Sequence, residues 1–286
     1  MLWFAVPLSL AFYIRVFLPE EIVHDRYLYL SLFGAALTAV GAAADVGRLK
    51  ARTVLVGGAV VSVILLTQTV RYNRVWKNDI SLFERAVQVD PDSALAHGQL
   101  GNLYRRAGRT EEAIRVLKRA LEIHPDMRIG VLNLAIIAAD EGRYDDAERE
   151  FKRVLDIYPD DAVAIDQLTR VYTEQRRFAE AAALLRSAVE RLPYERIKYT
   201  RNLAVVAYQS GDKAAAARTL ESIRNDLGET DAGSVTALYM LGEVYLELGR
   251  RNDALDAFRQ FLEVSKAFES PELEGMRDSA QRRIER

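Results

Sequence analysis

The sequence repeats itself. From residue 94 onward, small residues, large apolar residues, a turn residue and a proline return at about 34-residue spacing. In 94–127 the small positions are Gly101, Ala113 and Ala120, the large ones Leu100, Tyr104 and Leu117, with a turn at Gly108 and a proline at Pro125. This spacing predicts two helices joined at Gly108. They cross closely at Gly101 and Ala113, and Tyr104 and Leu117 fill the space beside the crossing. Segment 128–161 carries Leu134, Ala135, Gly142, Ala147, Phe151 and Pro159 at the same places. Segment 162–195 carries Leu168, Tyr172, Ala181, Leu185, Ala188 and Pro193, with Arg176 in place of the turn glycine. Segment 197–230 has Leu203, Ala204, Gly211, Ala216 and Leu220, offset by one residue and lacking the proline. Segment 235–268 has Leu241, Gly242, Tyr245, Gly249, Ala254 and Phe258.

One helical pair cannot bury both of its apolar faces, so such units stack into a continuous core and need closed ends. Residues 78–92 read as the second half of a unit, with Phe83, Ala86 and Pro91 in register. At the other end, Ser270 suits an N-cap with Pro271 at the first helical position. Leu273, Met276, Ala280 and Ile284 then make one apolar stripe, and Arg282, Arg283 and Arg286 sit at the negative end of the helix dipole. Residues 270–286 are therefore expected to be a capping helix. The pattern is that of the tetratricopeptide repeat, and the chain resembles that family over 78–286. The resemblance implies a right-handed, all-α solenoid that binds a protein or peptide in a concave groove.

The first seventy residues differ in kind. Segments 1–18, 28–44 and 53–70 are apolar, with Arg15 the one charge among them, and each lies near the length of a membrane span. The expected fold class is thus all-α, with three transmembrane helices in a membrane region (1–77) ahead of the array (78–286). Lys and Arg do not orient it: Arg48, Lys50 and Arg52 balance Arg71, Arg74 and Lys77. The stretch from His24 through Asp25, Arg26, Tyr27, Leu28 and Tyr29 to Leu30, with Trp76, Lys77, Asn78, Asp79, Leu82 and Phe83 further on, resembles the end of the membrane region in the transmembrane-and-TPR O-mannosyltransferase-like family. Ser31 stands where a proline is common in that family. This resemblance implies an array on the extracytoplasmic side of a multi-pass membrane protein. It also offers an alternative reading, a C-terminal or accessory part of a protein O-glycosyltransferase that presents acceptor protein.

Little in the chain points to catalysis. There are no cysteines, and the three histidines, His24, His97 and His124, have no ligand spacing. The pairs Glu111-Glu112 and Asp145-Asp146 open second helices, where carboxylates favour the dipole. No catalytic residue, cofactor or metal is expected. A net charge of −2 gives no basic surplus for nucleic acid. The remaining candidates are first-helix positions facing the expected groove: Gln99, Asn102 and Arg106; Asn133, Ile136 and Asp140; Gln167, Arg170 and Glu174; Arg201, Asn202 and Val205; Tyr239, Met240 and Glu243. Asn and Arg among amphipathic neighbours can bind a peptide backbone and its charges. Gly98 occupies the place of the first lysine of the clamp that holds chaperone tails, which disfavours that ligand. The expectation is a membrane-anchored scaffold with a protein or peptide partner.

Overall fold

A computed structural model describes Val60 and residues 78–224, 232–268 and 270–285. Among the described residues the chain is helical, with no strand. It divides into two compact units, Met1–Pro125 and Asp126–Arg286. The first contains α1 (Asp79–Val89), α2 (Ala94–Arg106) and α3 (Thr110–Ile123). The second contains α4 (Arg128–Asp140), α5 (Tyr144–Ile157), α6 (Ala162–Glu174), α7 (Phe178–Arg191), α8 (Arg196–Gln209), α9 (Lys213–Glu221), α10 (Ala232–Glu247), α11 (Arg251–Ser265) and α12 (Pro271–Glu285). The 3-10 turn Pro193–Glu195 leads from α7 into α8.

The expected fold class needs correction. Among the described residues no helix is long and apolar enough to cross a membrane. The longest, α10, has 16 residues, or about 24 Å at the helical rise, short of a ~30 Å hydrocarbon core. The three expected spans, 1–18, 28–44 and 53–70, lie outside the described residues apart from Val60. What the described residues show is an all-helical repeat array.

In the first unit α1 and α2 start at side-chain caps. Asn78 accepts from the Ser81 amide at 2.9 Å and opens α1 as a capping box, and Ser93 accepts from the Ala96 amide to open α2. The α2–α3 turn closes with Gly108 at φ +73° and the Arg109 amide bonded to the Tyr104 carbonyl at 2.9 Å. Beyond it Ala113, Leu117 and Ala120 are fully buried. Leu117 lies so close to the Gly101 backbone that no Cβ could stand there. This is the close helix crossing that the sequence predicts.

The second unit repeats the device. Gly142, Gly211 and Gly249 close its other pairs with φ between +73° and +90°, and Arg176 adopts the same left-handed backbone at φ +58°. At Gly242 the Phe258 ring would meet a Cβ at 2.6 Å, the counterpart of Gly101 and Leu117. The C-terminal half is held by one apolar cluster in which Leu220, Leu238, Leu241, Phe258 and Phe261 are fully buried. Helix α12 seals it with Leu273 and Ala280, while Met276 and Ile284 pack partly buried at its edge. Arg277 clamps the turn before α12 by donating to the carbonyls of Ser265 and, at 2.6 Å, Phe268.

Candidate binding surfaces

The first-helix face of the second unit is built from α4, α6, α8 and α10, and most of its polar side chains are already paired. Arg170 on α6 donates to Gln167 at 3.0 Å and across to Asp140 of α4 at 2.9 Å. Lys198 on α8 reaches Asp166 on α6 at 2.8 Å, and the other oxygen of Asp166 is buried without a partner. Further along, Glu247 accepts from Tyr208 at 2.7 Å and pairs with Lys213 at 2.9 Å. Bridges of this kind tie each first helix to the next, which fixes their spacing more than it adds stability at such exposure.

The sequence-predicted positions differ in what the structure does with them. Asn133 and Ile136 are buried, and Asn133 bonds back to the Ile129 carbonyl at 2.8 Å, so neither presents itself to a ligand. Asp140, Gln167, Arg170, Tyr239 and Glu243 are committed internally: Tyr239 bonds Ser279 at 3.0 Å and stacks edge-on against Phe261, and Glu243 accepts from Arg283 at 3.0 Å. Val205 is half-buried, and Met240 packs against the C-terminal cluster. Glu174 is exposed. Arg201 and Asn202 on α8 are half-buried, and neither has a hydrogen bond or ion pair among the described residues. In the first unit Gln99 is half-buried, Asn102 accepts from Arg105 at 3.4 Å, and Arg106 is exposed.

A second recurring feature was not predicted. Three tyrosines, Tyr104, Tyr172 and Tyr245, each donate to a glutamate of the preceding repeat: Glu84 at 2.7 Å, Glu148 at 3.1 Å and Glu221 at 2.6 Å. Five residues on, an arginine lies over each ring: Arg109 at 4.1 Å, Arg177 at 4.6 Å and Arg250 at 4.3 Å. Each arginine also pairs with the same glutamate, at 4.0, 2.5 and 2.9 Å respectively. Arg177 foremost, with help from Lys152 and Tyr172, holds the Glu148 carboxyl down at about 2. Burial and the bonded glutamate push Tyr104 and Tyr245 up to about 12. The tyrosine-to-arginine spacing was visible in the sequence three times over. The glutamate, a repeat away, was not.

Paired helices closed by left-handed turns, with small residues at each crossing, define a helical-repeat protein. Sequence profiles of the tetratricopeptide repeat match residues 80–128, 99–162, 138–201, 199–222 and 236–264, together more than half of the chain. The chain belongs to the tetratricopeptide-repeat family. These matches cover repeats only and do not extend to residues 24–30, so the glycosyltransferase resemblance is not carried by them. Among curated proteins none matches the chain. Among solved structures it is similar to PilW, a widely conserved type IV pilus biogenesis factor, at 20% identity and a TM-score of 0.56, over 75% of this chain and 97% of that one. It is also similar to residues 41 to the end of MamA from Desulfovibrio magneticus RS-1, at 18% identity and a TM-score of 0.50, over 62% of this chain and 97% of that one. At these identities the likeness is one of fold.

Proposed function

We propose that the chain is a protein-docking scaffold that holds an extended segment of a partner along the first-helix face of its second unit. The observation that carries this reading is the pair Arg201 and Asn202, half-buried on that face without an internal partner while their neighbours are bridged to one another. An asparagine amide can match both the donor and the acceptor of a peptide backbone, and a free guanidinium beside it can take a carboxylate in a forked bond. Selection of displayed random peptides on the full chain tests it. Peptides so enriched should bind Arg201→Glu/Asn202→Ala roughly tenfold more weakly, the scale of one lost charged hydrogen bond. Unchanged affinity would place the contact elsewhere.

The array acts outside the cytoplasm in this proposal, with the resemblance at residues 24–30 and 76–83 as its support. Since the chain has no cysteine, a single Arg106→Cys is a clean reporter. It should react with a membrane-impermeant thiol reagent in intact cells; protection until lysis contradicts the location.

A further inference from the structure

Within the second unit, the tyrosine–glutamate–arginine device joins the repeat 128–161 to 162–195 and the repeat 197–230 to 235–268. Between 162–195 and 197–230 it is missing. The position of Tyr172 is taken there by Ala207, that of Glu148 by Ala182, and that of Arg177 by Asp212. All three replacements line a single cleft of about 340 Å³ between α7, α8 and α9, with Leu203 also in its wall. The cleft continues past Arg186, Leu203 and Thr219 into a second lobe of about 380 Å³ that Arg218 borders. Helix α9 has 9 residues where α5 and α7 have 14, so it covers less of this side.

The charges around the cleft are not balanced internally. Arg186 and Arg218 are exposed, and neither makes an ion pair or hydrogen bond among the described residues. The carboxylate of Asp212 is already engaged, since it accepts from the Ala215 amide at 2.8 Å and caps α9. Glu190 is the one other acid at the rim, leaving the second lobe net positive. A largely apolar gap beside two unpaired guanidinium groups is complementary to an aromatic side chain flanked by carboxylates.

We propose that this gap is a docking site for an acidic segment of a partner protein, which inserts an aromatic ring between Ala182 and Ala207 and lays its carboxylates on Arg186 and Arg218. The incoming ring takes the place that Tyr172 and Tyr245 fill at the other junctions. The site is separate from the first-helix face and stands without it.

The probe is a fluorescein-labelled peptide, Gly-Ser-Glu-Asp-Tyr-Glu-Asp-Ser-Gly, titrated by anisotropy with the full chain. It should bind, and replacing its tyrosine by alanine or its acids by lysines should abolish the signal. Ala182→Glu/Ala207→Tyr rebuilds the internal plug and should remove binding without lowering the melting temperature. The surface variant Arg186→Glu/Arg218→Glu should weaken binding by roughly tenfold or more. No binding at all, equal binding of the lysine peptide, or binding indifferent to both variants overturns the proposal. So does a dimer of the free chain that Ala207→Tyr dissolves, because the occupant would then be a second copy.

Discussion

Arg176 holds a backbone conformation that glycine holds at four other turns, with φ of +58° against +73° to +90°. An L-residue there places its Cβ against the following carbonyl, which costs roughly 1–2 kcal/mol. Its side chain is exposed and shows no bond among the described residues that would compensate. Arg176→Gly should therefore stabilise the full chain by about 0.5–1 kcal/mol, once the greater unfolded-state freedom of glycine is set against the relieved strain. Denaturant unfolding followed by circular dichroism measures it, and a lower midpoint would mean that the arginine side chain supports the turn. This position was legible: the repeat period marks residue 176 as a turn whatever occupies it. Asn133 and Ile136 show where such reading stops. Register put them on an open face, yet both are buried, because α4 is apolar nearly all round and has no face that solvent must wet.

Between elements, a few partly buried groups set how one repeat meets the next. Glu148 on α5 gathers Tyr172, Arg177 and Lys152 from around the α5–α6 junction. Its carboxyl ionises at about 2 in the fold, against 4.5 when free. A depressed folded pKa contributes stability that is complete above the unfolded value and is lost as pH falls through the folded one. Glu148→Gln should destabilise the chain by about 1–2 kcal/mol at pH 7, given that Arg177 and Lys152 are partly exposed. The difference from the parent should shrink steadily between pH 4.5 and pH 2. Melting curves across that range decide; a constant gap would mean that the loss is one of packing. The sequence shows Tyr172 and Arg177 at their recurring spacing. It cannot show Glu148, because which residue of the earlier repeat lies opposite depends on how the helices stack. For the same reason the gap left by Ala182, Ala207 and Asp212 appears only once the full triads are seen in space.

At the level of the whole molecule, the last described helix, α12, is not a repeat. A stack of helical pairs leaves its last apolar face uncovered unless something seals it, and stability in such a stack is a sum of unit and neighbour terms. Pro271, the apolar stripe and the basic end are the sequence signals for such a seal, and Leu273 and Ala280 of α12 lie in the C-terminal cluster. The apolar segments 1–18, 28–44 and 53–70, by contrast, lie outside the described residues apart from Val60. Leu273 is 1% exposed and belongs to the same cluster as Leu238, Phe258 and Phe261. Leu273→Ala removes its buried methyl groups at the end of the stack, where the helix can partly settle into the space. A loss of about 2–3 kcal/mol is expected, the low end for buried leucines. Because coupling runs only between neighbours, the damage should be graded along the chain. Native-state hydrogen exchange should show amides of α12 and α11 opening first, with those of α4 and α5 close to their parent protection. Protection lost evenly from α4 to α12 would instead mean that the second unit unfolds as one block, and that its end helix is part of a single core.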